Sequence, residues 1–192
     1  MSILVLGLVL FLAGHSLRMF APHWREQRIA QWGVNGYKAA YALFALAALT
    51  LIGWGYGQAR LDPVALWAPV RGLQHLAVLL MLVSMVLLVA SLVPRNALAL
   101  KLRHPTALSV KVWALAHLLA NHTLADVLLF GSFLVWAVLA FRAGRQRDRL
   151  NLPAPVASSK AATVAVVAGG VLVWAVLVMG GHRALFGVSP LG

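Results

Sequence analysis

Seven histidines are the side chains of this sequence best suited to chemistry, because the chain contains no cysteine and only four carboxylates. Two of them, His15 in "LAGHSLRMF" and His117 in "VWALAHLLANH", stand inside long apolar runs. The absence of thiols excludes an iron–sulfur cluster and a disulfide framework, and the scarcity of carboxylates argues against a carboxylate-bridged metal pair. Imidazole ligation of a metal remains, with haem iron or zinc as the candidates.

The composition indicates a membrane protein. Hydrophobic residues make up 62% of the 192-residue chain and charged residues 10%, whereas a soluble domain carries about 25% charged residues. Lysine and arginine outnumber aspartate and glutamate by 16 to 4. Because the apolar runs exclude a soluble nucleic-acid-binding domain, we interpret the basic residues as topology signals and as contacts with lipid headgroups.

We predict one all-α domain over residues 1–192, a polytopic membrane helix bundle of about six transmembrane helices. A helix needs roughly 20 apolar residues to cross about 30 Å of hydrocarbon. The fourth segment is short, because "ANHTLAD" leaves almost no loop before the fifth. Asn121 or Thr123 can cap that fifth helix, with Asp126 near its dipole. The six predicted segments are residues 2–20, 36–57, 70–93, 106–122, 123–141 and 161–181.

The positive charges predict the orientation of these segments. The loops after the first, third and fifth segments hold four, four and five of the 16 lysines and arginines. Cytoplasmic loops of membrane proteins are enriched in these residues, so the sequence predicts that both termini face the periplasm. We therefore expect a multi-pass protein of the bacterial inner membrane, with the lipid bilayer as its first partner.

Depth in the membrane selects two of the histidines, because two ligands of one iron must lie at nearly the same level. His15 precedes Arg18 by three residues, and His117 follows Lys111 by six; the lysine side chain can extend to the same face as the arginine. At 1.5 Å per residue these offsets are about 5 and 9 Å, which agree within one helical turn. The pair matches the ligand set of a b-type haem inside a helix bundle.

Other interpretations stay open. A buried membrane histidine can instead make an interhelical hydrogen bond, usually worth below about 1 kcal/mol, and zinc would need a third ligand that is not evident at this depth. His75 and His104 remain alternative ligands, although His75 differs in depth from His15 and His104 at a membrane boundary could bind a propionate or a lipid phosphate. We interpret three histidines as interface or solvated residues: His23, His122 and His182.

Two motifs carry a family resemblance, "FLAGHSLR" and "RHPTALSVKVWALAHLLANHTLADVLLFGSF". Both resemble the NnrU family of bacterial inner-membrane proteins, which is linked to nitrite and nitric oxide reductase function in denitrification. That family is similar to 15-cis-zeta-carotene isomerase, a haem b membrane enzyme. The resemblance implies haem b as cofactor and His15 and His117 as its iron ligands. It also places Ala114 where the isomerase has an alternative cysteine ligand, and leaves His75 as a possible exchange ligand.

Two functional classes follow from the resemblance. One is a haem-bearing accessory, redox or maturation protein that acts with denitrification enzymes or their maturation factors, through a low-spin haem with two axial ligands. The alternative is a haem-dependent cis-trans isomerase of a polyene or other hydrophobic lipid, which needs a detachable ligand and an apolar pocket. A transporter would need a polar path, for which the apolar segments carry few residues.

The surroundings of the haem are also predicted. Carboxylates prefer the aqueous boundary, so we expect Arg18, together with Arg103 or Lys111, to pair with the haem propionates. Asn121, one turn after His117, is expected to accept a hydrogen bond from the His117 ring and so orient it.

Overall fold

The computed structural model describes residues 1–151 and 156–191, and most of these residues are helical. The linker residues 152–155 and the last residue of the predicted domain lie outside the described part. The elements, in chain order, are α1 (Ser2–Phe20), α2 (Pro22–Ala59), α3 (Arg71–Leu92), α4 (Ala97–Leu102), α5 (Pro105–Ala120), α6 (Leu124–Leu150), α7 (Lys160–Val176), a π-helical segment (Leu177–Gly181) and α8 (His182–Phe186).

Within the described residues, five helical stretches are long and apolar enough to cross a membrane: α1, α2, α3, α6, and α7 together with its continuation to Phe186. The remaining predicted span, the fourth segment at residues 106–122, corresponds to α5, an apolar helix of 16 residues. At 1.5 Å per residue it is about 24 Å long, shorter than the hydrocarbon layer. The predicted all-α, multi-pass bundle is therefore confirmed, with its expected short member, while the orientation of the termini stays a prediction.

The second span begins differently from its prediction. Helix α2 starts at Pro22 rather than at residue 36, and its backbone breaks at Gly33, where φ is 70° and ψ 164°. This is a conformation that glycine adopts without a Cβ clash. In the piece before the break, the Arg28 guanidinium lies 5.5 Å from the Trp24 ring and 5.9 Å from the Trp32 ring. Tryptophans and basic residues concentrate at the membrane surface, and a search for apolar runs does not detect such a segment.

The turn between α5 and α6 is built as predicted. The Thr123 side chain accepts from the Asp126 N–H, and the Asp126 side chain accepts from the Thr123 N–H, which makes a capping box. Asp126 also accepts a hydrogen bond from the Tyr56 hydroxyl of α2. The α2–α3 loop is fastened to this turn by the Leu66 N–H, which donates to the His122 carbonyl. We call this side of the molecule the Thr123 end, and the opposite side the Asp148 end.

Glycines allow the helices to pack closely. A Cβ on Gly55 of α2 would lie 2.3 Å from the Leu4 backbone nitrogen of α1, and one on Gly170 of α7 would lie 2.5 Å from the Val86 Cα of α3. Small residues at such crossings are the usual means of helix association in a membrane. Helix α6 packs on both α1 and α5, and α5 packs on α3. The helices that carry the two predicted ligands, α1 and α5, are thus both held by α6.

Candidate functional site

His15 lies half-buried in the last third of α1. Its Nδ1 is 2.8 Å from the Phe11 carbonyl oxygen. Because a carbonyl oxygen only accepts, Nδ1 carries the proton of the neutral ring, and Nε2 keeps the lone pair that a metal would use. The ring stacks on Phe11 at 4.0 Å and has Tyr41 at 5.3 Å and Trp136 at 6.1 Å between centroids.

His117 repeats this arrangement on α5. Its Nδ1 lies 2.9 Å from the Trp113 carbonyl oxygen, and its ring stacks on Phe130 of α6 at 4.5 Å. The expected acceptor, Asn121, does something else: its side-chain amide donates to the His117 carbonyl at 2.8 Å. The ring is therefore oriented by the carbonyl one helical turn before it, a partner that sequence spacing does not single out because every helix provides one.

His15 and His117 are not adjacent. His15 lies beside Trp136 of α6, whereas His117 lies beside Phe130, six positions earlier on the same helix. That interval corresponds to about 9 Å along the axis, so the two rings do not share one level as their spacing from Arg18 and Lys111 predicts. The lysine is a poor marker of depth, because its Nζ reaches to within 5.0 Å of the Phe141 ring centroid, well beyond its own backbone.

Aromatic rings fill the space between the two predicted ligands. From the Phe11 ring beside His15, the chain of contacts continues to Phe133 at 5.7 Å, then to Trp113 at 5.5 Å, and then to His117 at 5.1 Å. These are ordinary edge-to-face and tilted ring contacts of a packed interior. The structure therefore places His15 and His117 at the two ends of one aromatic cluster.

The histidine beside His117 is His182 of α8. The two ring centroids are 6.4 Å apart, with an interplanar angle of 31°. Nδ1 of His182 lies 2.8 Å from the Val188 carbonyl oxygen, and Phe186 packs on the ring at 4.9 Å between centroids. From the sequence alone this histidine is expected to be an interface or solvated residue. The sequence feature that could have indicated this turn is the pair Gly180 and Gly181 directly before it, because two glycines allow backbone conformations that other residues rarely adopt.

His104 is engaged in a different network at the Asp148 end. Its Nε2 lies 3.0 Å from Asp148 Oδ2, and Arg103 Nη1 lies 3.2 Å from the same oxygen. A Cβ on Gly144 would lie 2.8 Å from the His104 ring, so the glycine makes room for it. Arg103 and His104 have φ values of 54° and 45°, a region that costs non-glycine residues about 1–3 kcal/mol. This network fixes the "RHP" turn at the start of α5.

The remaining predicted site residues are dispersed. His75 is exposed on α3, with its Nδ1 2.9 Å from the Arg71 carbonyl oxygen. Arg18 is exposed at the end of α1. Arg103 lines a cavity of about 190 Å³ with three further charged residues, Arg145, Asp148 and Arg149. Among the described residues no group of three or more His, Cys, Asp or Glu side chains is placed to hold a metal ion.

The comparison with known families agrees with the two motifs. The profile of the family described as NnrU protein matches residues 3–190, nearly the whole chain. The chain belongs to the NnrU family. No curated protein and no solved structure matches it significantly. This NnrU family member thus combines the family's sequence pattern with helices long and apolar enough to cross a membrane.

Proposed function

We propose that this NnrU protein binds haem b within the membrane and serves as an accessory, redox or maturation protein of nitrite and nitric oxide reduction. The observation that carries the proposal is the His117 ring. It is half-buried in the bundle, its Nδ1 is fixed by the Trp113 carbonyl, and its Nε2 hydrogen-bonds to no described residue. A neutral imidazole oriented in this way is the usual form of a metal-ligating histidine.

The residues around His117 fit the chemistry of a haem. A haem iron takes one or two axial protein ligands, and the described residues offer histidines in pairs rather than in groups of three. The aromatic rings of Phe130 and Trp113 provide an apolar and flat-sided environment. When bound, the haem would supply one-electron chemistry, and the protein would contribute the axial ligands and the apolar surroundings that set its potential.

The resemblance names His15 as the second ligand, and that assignment demands a rearrangement. The rings of Phe11, Phe133 and Trp113 would have to leave the space between His15 and His117. The haem proposal itself does not depend on His15, because His117 has a second imidazole beside it.

The absence of cysteine from the sequence favours an accessory or redox role over an isomerase that exchanges its iron ligand. The position of the isomerase's alternative cysteine is Ala114, which is 0% exposed within the bundle. A thiolate ligand switch is therefore not part of this chain's chemistry.

The test is a visible absorption spectrum of the detergent-purified protein, oxidised and reduced, after expression with ample haem. We expect a b-type spectrum with about one haem per chain, lost in His117→Ala and retained in His75→Ala. The second variant is a matched control, since His75 also bonds the carbonyl one turn before it but is exposed on α3. Wild-type protein without any Soret band would end the haem proposal.

The proposed role in nitrite and nitric oxide reduction is tested in cells. In a denitrifying host that lacks this gene, wild-type protein should restore nitrite and nitric oxide reductase activity of the membranes, and His117→Ala should not. Restoration by His117→Ala at normal protein levels would separate the denitrification role from the haem.

A further inference from the structure

We propose that His182 is the second axial ligand of the iron held by His117, so that the C-terminal turn closes the haem site. The inference rests on the proposed function, and it differs from the resemblance only in naming His182 rather than His15 as the second ligand. Its first support is a distance: the two ring centroids are 6.4 Å apart. An imidazole nitrogen binds a transition metal at about 2.0–2.1 Å, so two such rings on opposite sides of one ion have centroids about 6 Å apart.

The second support is that the two rings are held by the same kind of hydrogen bond. His117 donates its Nδ1–H to the Trp113 carbonyl at 2.9 Å, and His182 donates its Nδ1–H to the Val188 carbonyl at 2.8 Å. Each ring therefore keeps Nε2 as its lone-pair nitrogen, and neither Nε2 hydrogen-bonds to a described residue. Ligating histidines typically donate their other N–H to a carbonyl in this way, which fixes the tautomer and the ring orientation.

The third support is the backbone that brings His182 to this place. Helix α7 packs tightly against α3: Gly170 lies close to Val86, and the Trp174 indole donates a hydrogen bond to the Val78 carbonyl. Directly after α7 the helix widens into the π-helical segment Leu177–Gly181, in which Gly180 has φ 143°. Short π-helical insertions occur frequently at functional sites. The insertion separates α8 from the regular course of α7 and so lets His182 lie beside α5.

The turn that carries His182 is fastened to the rest of the bundle. Nη1 of Arg60, which follows α2, donates to the Phe186 carbonyl at 3.0 Å. Phe186 in turn packs on the His182 ring. A solvated surface histidine needs neither contact, whereas an axial ligand must be held at a fixed distance from its partner.

The experiment compares four purified full-length proteins, namely wild type, His182→Ala, His15→Ala and the control His75→Ala. Haem content is measured together with the spin state, by optical and electron paramagnetic resonance spectra. We expect wild type, His15→Ala and His75→Ala to hold low-spin, six-coordinate haem. His182→Ala should hold five-coordinate, high-spin haem or less than half of the wild-type haem, and added imidazole should restore the low-spin spectrum by replacing the missing ring.

A second variant guards against simple misfolding. His182→Met offers a thioether in place of the imidazole, and methionine–histidine ligation raises the reduction potential of a haem. A low-spin His182→Met haem with a raised potential supports the proposal, because a local folding defect does not produce it. A low-spin, wild-type spectrum in His182→Ala overturns the proposal but leaves haem binding intact, whereas wild-type protein without haem overturns the proposed function itself.

Discussion

Asp148 of α6 pairs with His104 across the Asp148 end of the bundle, with Oδ2 3.0 Å from His104 Nε2. The same oxygen lies 3.2 Å from Arg103 Nη1. One carboxylate thus holds both residues whose positive φ values shape the turn before α5. Since α5 carries His117, this turn also sets the position of the candidate ligand.

Asp148→Asn should therefore destabilise the protein. The substitution keeps the shape of the side chain but removes the negative charge that faces Arg103 and His104, and so weakens both hydrogen bonds. Solvent screening weakens this pairing because all three side chains are partly exposed, so we expect a modestly lower melting temperature in detergent. The matched control is Asp62→Asn, because Asp62 is exposed and forms no ion pair with a described residue. Equal melting temperatures for the two variants would contradict the prediction.

Two glycines of α2 make a sharp test of the α1–α2 packing. A Cβ on Gly55 would lie 2.3 Å from the Leu4 backbone, whereas a Cβ on Gly53 would have no atom within 4 Å. Gly55→Ala should cost about 1–3 kcal/mol through overpacking. Gly53→Ala should be neutral or slightly stabilising, since alanine favours helix over glycine. Thermal unfolding followed by circular dichroism distinguishes the two, and a stable Gly55→Ala protein would mean that α1 and α2 do not cross there.

The proposed pairing of His117 with His182 predicts which arginine would meet the propionates of a bound haem. Arg183 follows His182 directly, whereas Arg18 lies toward the other end of α1, past His15. An iron between His117 and His182 should make Arg183→Gln, rather than Arg18→Gln, lower the haem occupancy or shift the potential, because a cation stabilises a nearby carboxylate. Redox titration of the two purified variants measures this. A shift in Arg18→Gln alone would favour an iron near His15 instead.

The orientation of the bundle is tested by reporter fusions. The distribution of basic residues predicts an outward C-terminus and an inward loop after α6. A periplasmic phosphatase should be active when fused at the C-terminus and inactive when fused after Arg147. The reverse pattern would invert the topology and place His182 on the cytoplasmic side.

Much of the fold was accessible from the sequence. The apolar segments predict the α1, α3, α5 and α7 regions and the start of α6 closely, because a chain in hydrocarbon must satisfy its backbone hydrogen bonds within each helix. Helix α6 continues to Leu150, past the predicted end at residue 141, because its last part is a charged helix that hydrocarbon does not require. The start of α2 was missed, since the piece before Gly33 is rich in polar residues and its helix is not required by hydrocarbon. Of the two caps predicted for α6, Asn121 and Thr123, the structure has Thr123, and Asp126 lies in the first turn as expected; the reciprocal bond that completes the capping box was not predicted.

The candidate site, like the fold, was predicted from the sequence only in part. The sequence by itself determined a membrane helix bundle without thiols, with imidazoles as its available metal ligands, and the motifs of the NnrU family. Only the tertiary structure decided which imidazoles meet. In the folded chain the His182 and His117 ring centroids are 6.4 Å apart, and an aromatic cluster lies between His117 and His15. The reason is physical: periodicity fixes the face and depth of a residue within one helix, whereas the neighbour it meets depends on helix packing and on one backbone irregularity near the end of the chain.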